Sequence, residues 1–134
     1  MTDITLTQAH AAIAAAEAKA SDIGVPSTIT VLDRGARVVA VARQDGAPLV
    51  SVDASAAKAR TAVSFGAASG DLAGAVQPGA PLYTLGAASH EPLTFVAGGI
   101  PVTSADGAVI GAVGSSGGSP DQDVVIAEAA VAAL

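Results

Sequence analysis

Few residues in this chain could do chemistry. His10 and His90 are its two histidines, and either imidazole could ligate a metal or move a proton near neutral pH. Arg43, Lys58 and Arg60 are three of only six basic residues, and they share one short region with Asp45. Such cations could meet an anionic ligand. Lys58 and Arg60 are two apart, so on a helix they point in different directions; as solvated surface charges they need no function. The run Gly114-Ser115-Ser116-Gly117-Gly118 stands just before a helix start, where free backbone N–H groups could hold an anion or a ligand carboxylate. The same glycines would equally serve close packing of strand, loop and helix, and no P-loop lysine follows them.

Other chemistries are absent or weakly supported. With no cysteine there is no disulfide, thiolate metal site or cysteine nucleophile. Nucleophile-elbow, HExxH, EF-hand and dinucleotide fingerprints are all missing. The acidic residues are dispersed, and Asp121 and Asp123 suit a helix N-terminus for dipole reasons. His10 and His90 lie far apart in sequence. An acid–base set of Asp45, Lys58 and a histidine, serving a lyase, isomerase or hydrolase of a small anionic metabolite, remains an alternative to ligand binding.

Helices and hairpins must position these groups. Thr5 and Gln8 form a capping-box signature for a helix running to about residue 22, where Gly24 and Pro26 stop it. Leu6, Ala9, Ile13, Ala16 and Ala20 fall on one face, with His10 on or beside it. A strand over 27–32, a turn at Asp33-Arg34-Gly35 and a strand over 37–43 make one hairpin. A helix over about 52–65 carries Lys58 and Arg60. The stretch 66–92 reads as a long loop with a short helix at 69–76, and His90 falls within it. Leu93-Thr94-Phe95-Val96 is expected to return to the sheet. A second hairpin turns at Asp106-Gly107 between 98–103 and 108–113. Ser119, Pro120 and Gln122 then cap a C-terminal helix that is apolar nearly all round, as suits burial on two sides.

The chain has 134 residues, which fits one domain over 1–134. Hydrophobic residues make up 51% but aromatic ones only 2%, so the core is built from small side chains and part of the stability is expected from contacts between subunits. A net charge of −6 argues against nucleic acid or an anionic membrane surface as partners. No signal-peptide pattern and no run of about 18 apolar residues is present, so the expectation is a cytoplasmic chain unless a leader peptide was removed.

The order of motifs adds a resemblance. Val31-Leu32-Asp33-Arg34-Gly35, Ala42-Arg43-Gln44-Asp45-Gly46-Ala47, Lys58-Ala59-Arg60-Thr61-Ala62, Gly98-Gly99-Ile100-Pro101, and Asp106-Gly107 through Gly111 to Gly118 and Asp123 together resemble the GlcG/HbpS-type haem-binding family. That family includes the C-terminal domain of PduO-type proteins. The resemblance covers nearly the whole chain. It implies an α-β-α sandwich with a central antiparallel sheet of about five strands, assembled as a homo-oligomer from dimer to octamer. It also implies a small-molecule ligand, with haem or another tetrapyrrole the first candidate and no universal catalytic residue. On that reading Arg43, Lys58 and Arg60 would meet propionates and Gly114 to Gly118, including Ser115, Ser116 and Gly117, would line the pocket. Many relatives have an acidic residue and a methionine where this chain reads Ala42 to Asp45, and an aliphatic residue at the position of Ser115. Met1 is the only methionine, so thioether ligation within the fold is excluded. Iron would fall to His10, His90 or a weaker oxygen donor. With so few aromatics, the ligand is expected in a shallow site at a subunit boundary.

Overall fold

The computed structural model describes residues 2–134, so Met1 lies outside the described residues. Helix α1 spans Leu6–Asp22, and strands β1 (Thr28–Asp33) and β2 (Val38–Arg43) follow as a hairpin. Helix α2 spans Ser51–Phe65, two short 3-10 turns occupy Ser69–Val76 and Leu85–Ala88, and β3 (Gly99–Thr103), β4 (Val109–Ser116) and α3 (Pro120–Ala132) complete the chain. Both expected capping boxes form. The Thr5 and Ser119 side chains accept from the N3 amides, while Gln8 and Gln122 accept from the cap amides.

The four strands make one antiparallel sheet in the order β2-β1-β4-β3. Helices α1 and α3 pack together on one face and α2 on the other, which gives the expected α-β-α layering. The sheet has four strands rather than about five, because 93–96 does not return to it. Side chains of α2 and the first 3-10 turn take up that segment's main-chain groups instead. Thr61 Oγ1 accepts from the Thr94 amide at 3.1 Å, Arg60 donates to the Pro92 carbonyl at 2.9 Å, and Ser69 Oγ donates to the Val96 carbonyl at 2.7 Å. Phe95 meets Phe65 with ring centroids 6.2 Å apart. Once bonded to side chains, this backbone no longer needs a strand partner.

The larger core lies between the sheet and α1/α3, where Ile29, Val31, Val113 and Ile126 meet an alanine face of α1. Ala9, Ala12, Ile13, Ala16 and Ala20 form that buried face. Leu6 is not part of it and stands 54% exposed. At about 100° per residue, Leu6 lies about 60° and His10 about 100° round the helix from Ala9, at the edge of the buried arc and beyond it. Helix α3 is less enclosed than its apolar sequence suggests, because Val125 is exposed, as is Leu134 just beyond its end.

Close approach of α2 to the sheet organises the opposite face. A Cβ at Gly114 would lie 2.0 Å from the Ser55 carbonyl oxygen, and one at Gly99 would lie 2.2 Å from the Lys58 carbonyl oxygen. No side chain could occupy either position without lifting the helix. Such proximity buries polar groups, and two hydroxyl pairs satisfy them: Thr28 with Ser51 and Thr30 with Ser55, each at 2.7 Å. At the far end of the sheet, Asp106 receives the Ser104 hydroxyl and the Ala108 amide and closes the β3–β4 turn; these bonds hold its carboxyl below the ordinary aspartate range.

Overpacking the glycine floor is expected to be costly. Gly114→Ala should lower the stability measured by urea unfolding by about 3 kcal/mol. Gly74→Ala, where an added Cβ meets nothing within 4 Å, should be neutral or slightly stabilising. Equal effects would refute the close-approach account.

Candidate functional site

Lys58 lies on the sheet-facing side of α2 and is 3% exposed. Its aliphatic stem runs past Gly98, where an added Cβ would come within 3.0 Å of both the Lys58 Cδ and the Asp123 Cβ. The ammonium then reaches the first turn of α3, 2.7 Å from Asp123 Oδ2 and 3.1 Å from the Ser115 carbonyl oxygen. Asp123 is 2% exposed, and its Oδ1 accepts from the Gly118 amide at 3.0 Å. A buried pair of this kind survives because both partners gain further hydrogen bonds to offset the loss of water.

This pair closes the inner end of a cleft of ≈ 400 Å³ between α2, the 92–96 segment and the start of α3. Apolar groups such as Val50, Ala54, Leu93 and Val96 form its walls, and Ser116 and Gly118 complete it beside the pair. A second cleft, of ≈ 630 Å³, lies on the far side between the end of α1 and the β2 terminus. There Arg43 and Asp45 flank Gln44, whose side chain accepts from the Ser27 amide and donates to the Glu17 carbonyl and the Ser21 hydroxyl.

The residues singled out from the sequence are therefore distributed over distinct places. Lys58 and Ser116 share the α2–α3 cleft, whereas Asp45 and Arg43 share the other, so Asp45 does not meet Lys58. Arg60 is spent partly on the Pro92 carbonyl. Gly117 packs against the chain entering β1, where an added Cβ would lie 2.3 Å from the Pro26 carbonyl oxygen. Ser115 is fully buried opposite Ile29, on the α1/α3 face, and its hydroxyl has no partner among the described residues. His10 is exposed on α1 in the i, i+4 row Leu6, His10, Ala14, Ala18, all four exposed. His90 is exposed in the loop after the second 3-10 turn. No cluster of three His, Cys, Asp or Glu that could hold a metal occurs among the described residues. Asp123, placed from the sequence at a helix N-terminus and at the end of the motif run that begins at Asp106, is the buried partner of Lys58. One signal pointed toward its partner: the residues three and four positions away from Lys58 on the helix, Ala54, Ser55, Thr61 and Ala62, are all small and uncharged, as suits a buried face.

Comparison with known proteins gives a consistent result. The family model described as haem degrading protein HbpS-like matches residues 4–132. An uncharacterised 15.0 kDa protein from the dhaT–dhaS intergenic region of Citrobacter freundii is 41% identical over 128 residues, covering 96% of this chain and 89% of that protein. The crystal structure of Klebsiella pneumoniae ORFY superimposes with a TM-score of 0.95 at 38% identity, over 99% of this chain and 91% of that one. A PduOC–haem complex superimposes with a TM-score of 0.92 at 34% identity, over 99% and 96% of the two chains.

Two substitutions separate the structural weights of these groups. Asp123→Ala strands the buried Lys58 charge and should cost about 3 kcal/mol or more, whereas the double change Lys58→Met with Asp123→Leu should recover most of that loss. Ser115→Ala removes an unpaired buried hydroxyl and should stabilise the protein by about 1 kcal/mol. Thermal or urea unfolding reads all of these, and a destabilising Ser115→Ala would show that the hydroxyl has a partner.

Proposed function

The chain belongs to the HbpS-like family, and from that membership we propose that it binds haem or a related tetrapyrrole in a shallow site completed by a second copy of the chain. The observation that carries this reading is the exposed row on α1. The His10 side chain makes no hydrogen bond among the described residues and stands in a row with Leu6, Ala14 and Ala18, none of them charged, with Glu17 about two turns further along the same side. A planar macrocycle can lie against such a row with the imidazole free to take its metal, so the residues present fit the group.

When bound, haem supplies a redox-active iron able to take a further ligand. The chain's own residues hold and orient it. His10 would be the first candidate to ligate the iron and His90 the second. Arg43 is exposed, makes no side-chain hydrogen bond among the described residues, and borders a cleft that also touches Glu17. Glu17 is seven residues beyond His10 on the same side of α1, about 10 Å along the helix. Arg43 is therefore the first candidate to receive a propionate. Lys58 is withdrawn from that role by its pairing with Asp123.

Covering the macrocycle is the task assigned to a second subunit. Neither histidine lines either of the two clefts described above, and exposed apolar side chains such as Leu6, Val125 and Leu134 remain on the α1/α3 side. A homo-oligomer would bury both. The relative solved with haem supports the choice of ligand.

Haem titration followed by Soret absorbance, with oligomeric state measured in parallel, checks the proposal. Wild type should saturate at micromolar haem, and His10→Ala should lose the shifted band while His90→Ala keeps it. The converse would move the iron-ligating role to His90. No saturable shift in wild type would overturn the haem reading.

A further inference from the structure

The α2–α3 cleft contains polar capacity that the fold does not use. An ammonium has three donors, and Lys58 spends two, on Asp123 and on the Ser115 carbonyl. Ser116 is 8% exposed, lines the same cleft, and its hydroxyl has no partner among the described residues. Register pairs Ser116 with Thr28, whose hydroxyl bonds Ser51 on α2, so Ser116 lies on the α2 side of the sheet. A spare ammonium donor and an unpartnered hydroxyl thus line a mainly apolar cleft of ≈ 400 Å³. A few placed polar groups within apolar walls are the usual make-up of a small-molecule site.

We propose that this cleft is a second binding site, for a small neutral molecule with an apolar body and one oxygen acceptor, such as a ketone or amide carbonyl. The acceptor takes the third Lys58 proton and the Ser116 hydroxyl. Electrostatics selects against an anion. One ammonium faces two carboxylates around the cleft, since Asp53 at the rim joins Asp123, and Lys58 is already neutralised by its 2.7 Å contact. A ligand carboxylate would be placed near Asp123 with no uncommitted cation to meet it. The apolar part rests on Ala54, Ala57 and Leu93, which bury it without offering polar partners. This site is separate from the α1 row and does not depend on haem.

The test uses haem-free, ¹⁵N-labelled full chain and cyclohexanone as the probe, titrated to ~50 mM to cover the weak affinity of so small a molecule. Saturable shifts are expected at the amides of Ala57, Thr94 and Gly118. Ser116→Ala should weaken binding ~5-fold, the contribution of one hydrogen bond. Ala54→Phe, which fills the cleft from α2, should abolish it. Cyclohexanecarboxylate should bind at least ~10-fold more weakly than the ketone. Both variants are checked for the wild-type fold by their amide spectra. Absence of saturable shifts at these amides in wild type, or undiminished binding in either folded variant, would overturn the site. A carboxylate that binds as tightly as the ketone would overturn the assignment of a neutral ligand.

Discussion

The contact on which the rest of this structure depends is the seating of α2 directly on the sheet backbone. Ser55 and Lys58 are one helical turn apart, and their carbonyl oxygens lie over Gly114 and Gly99 on neighbouring strands. Without a Cβ beneath it, the helix comes closer than side-chain packing would allow. Hydroxyls rather than alkyl groups then fill the remaining space, in the Thr28–Ser51 and Thr30–Ser55 pairs. The same approach sets the height at which the Lys58 side chain leaves the helix, and therefore what it can reach.

What it reaches is the start of α3. The ion pair joins the α2 layer to a helix on the other face of the sheet, passing the end of β4 through the Ser115 carbonyl. A buried pair of charges adds little net stability compared with well-packed apolar groups, but its geometric demands are strict. Gly98 adopts φ 132° beside it, and the Gly118 amide completes the Asp123 carboxylate. The loop from β4 to α3 is thus held from both sides. This restraint also leaves an ammonium proton and the Ser116 hydroxyl lining a cleft, so one packing solution yields a pair of polar groups in mainly apolar surroundings.

The opposite layer follows a different physical logic. Alanines at Ala9, Ala12, Ala16 and Ala20 let α1 lie close to its neighbours but bury little area each, and aromatic residues add almost nothing there. Exposed aliphatic groups remain on α1, on α3 and around the start of α2, where Leu49 is 85% exposed. A subunit with a thin core and uncovered apolar surface gains stability when those surfaces meet another copy. His10 stands on that side of the molecule, which ties the proposed ligand site to assembly.

Much of the architecture was legible in the sequence because local chemistry dictated it. Thr5 with Gln8 and Ser119 with Gln122 satisfy orphan helix amides within four residues, and the two hairpins turn where Asp33 and Asp106 accept nearby amides. In the first of these turns Ala36 takes a left-handed conformation, at φ 62°. The motif order also pointed to the family. Long-range satisfaction of polar groups was beyond local pattern. Segment 93–96 has strand-forming residues, but its main chain bonds to side chains of α2 and the neighbouring turn instead of a strand. Lys58 read as a charge on a helix surface until the close approach of α2 brought Asp123, 65 residues later, to its ammonium. The sequence by itself determined caps, turns, helix faces and the scarcity of metal-binding side chains, because those depend on neighbours within a few residues. Tertiary structure alone decided which charges are paired, which hydroxyls are left free and which clefts they share, because burial and partnership depend on packing between layers.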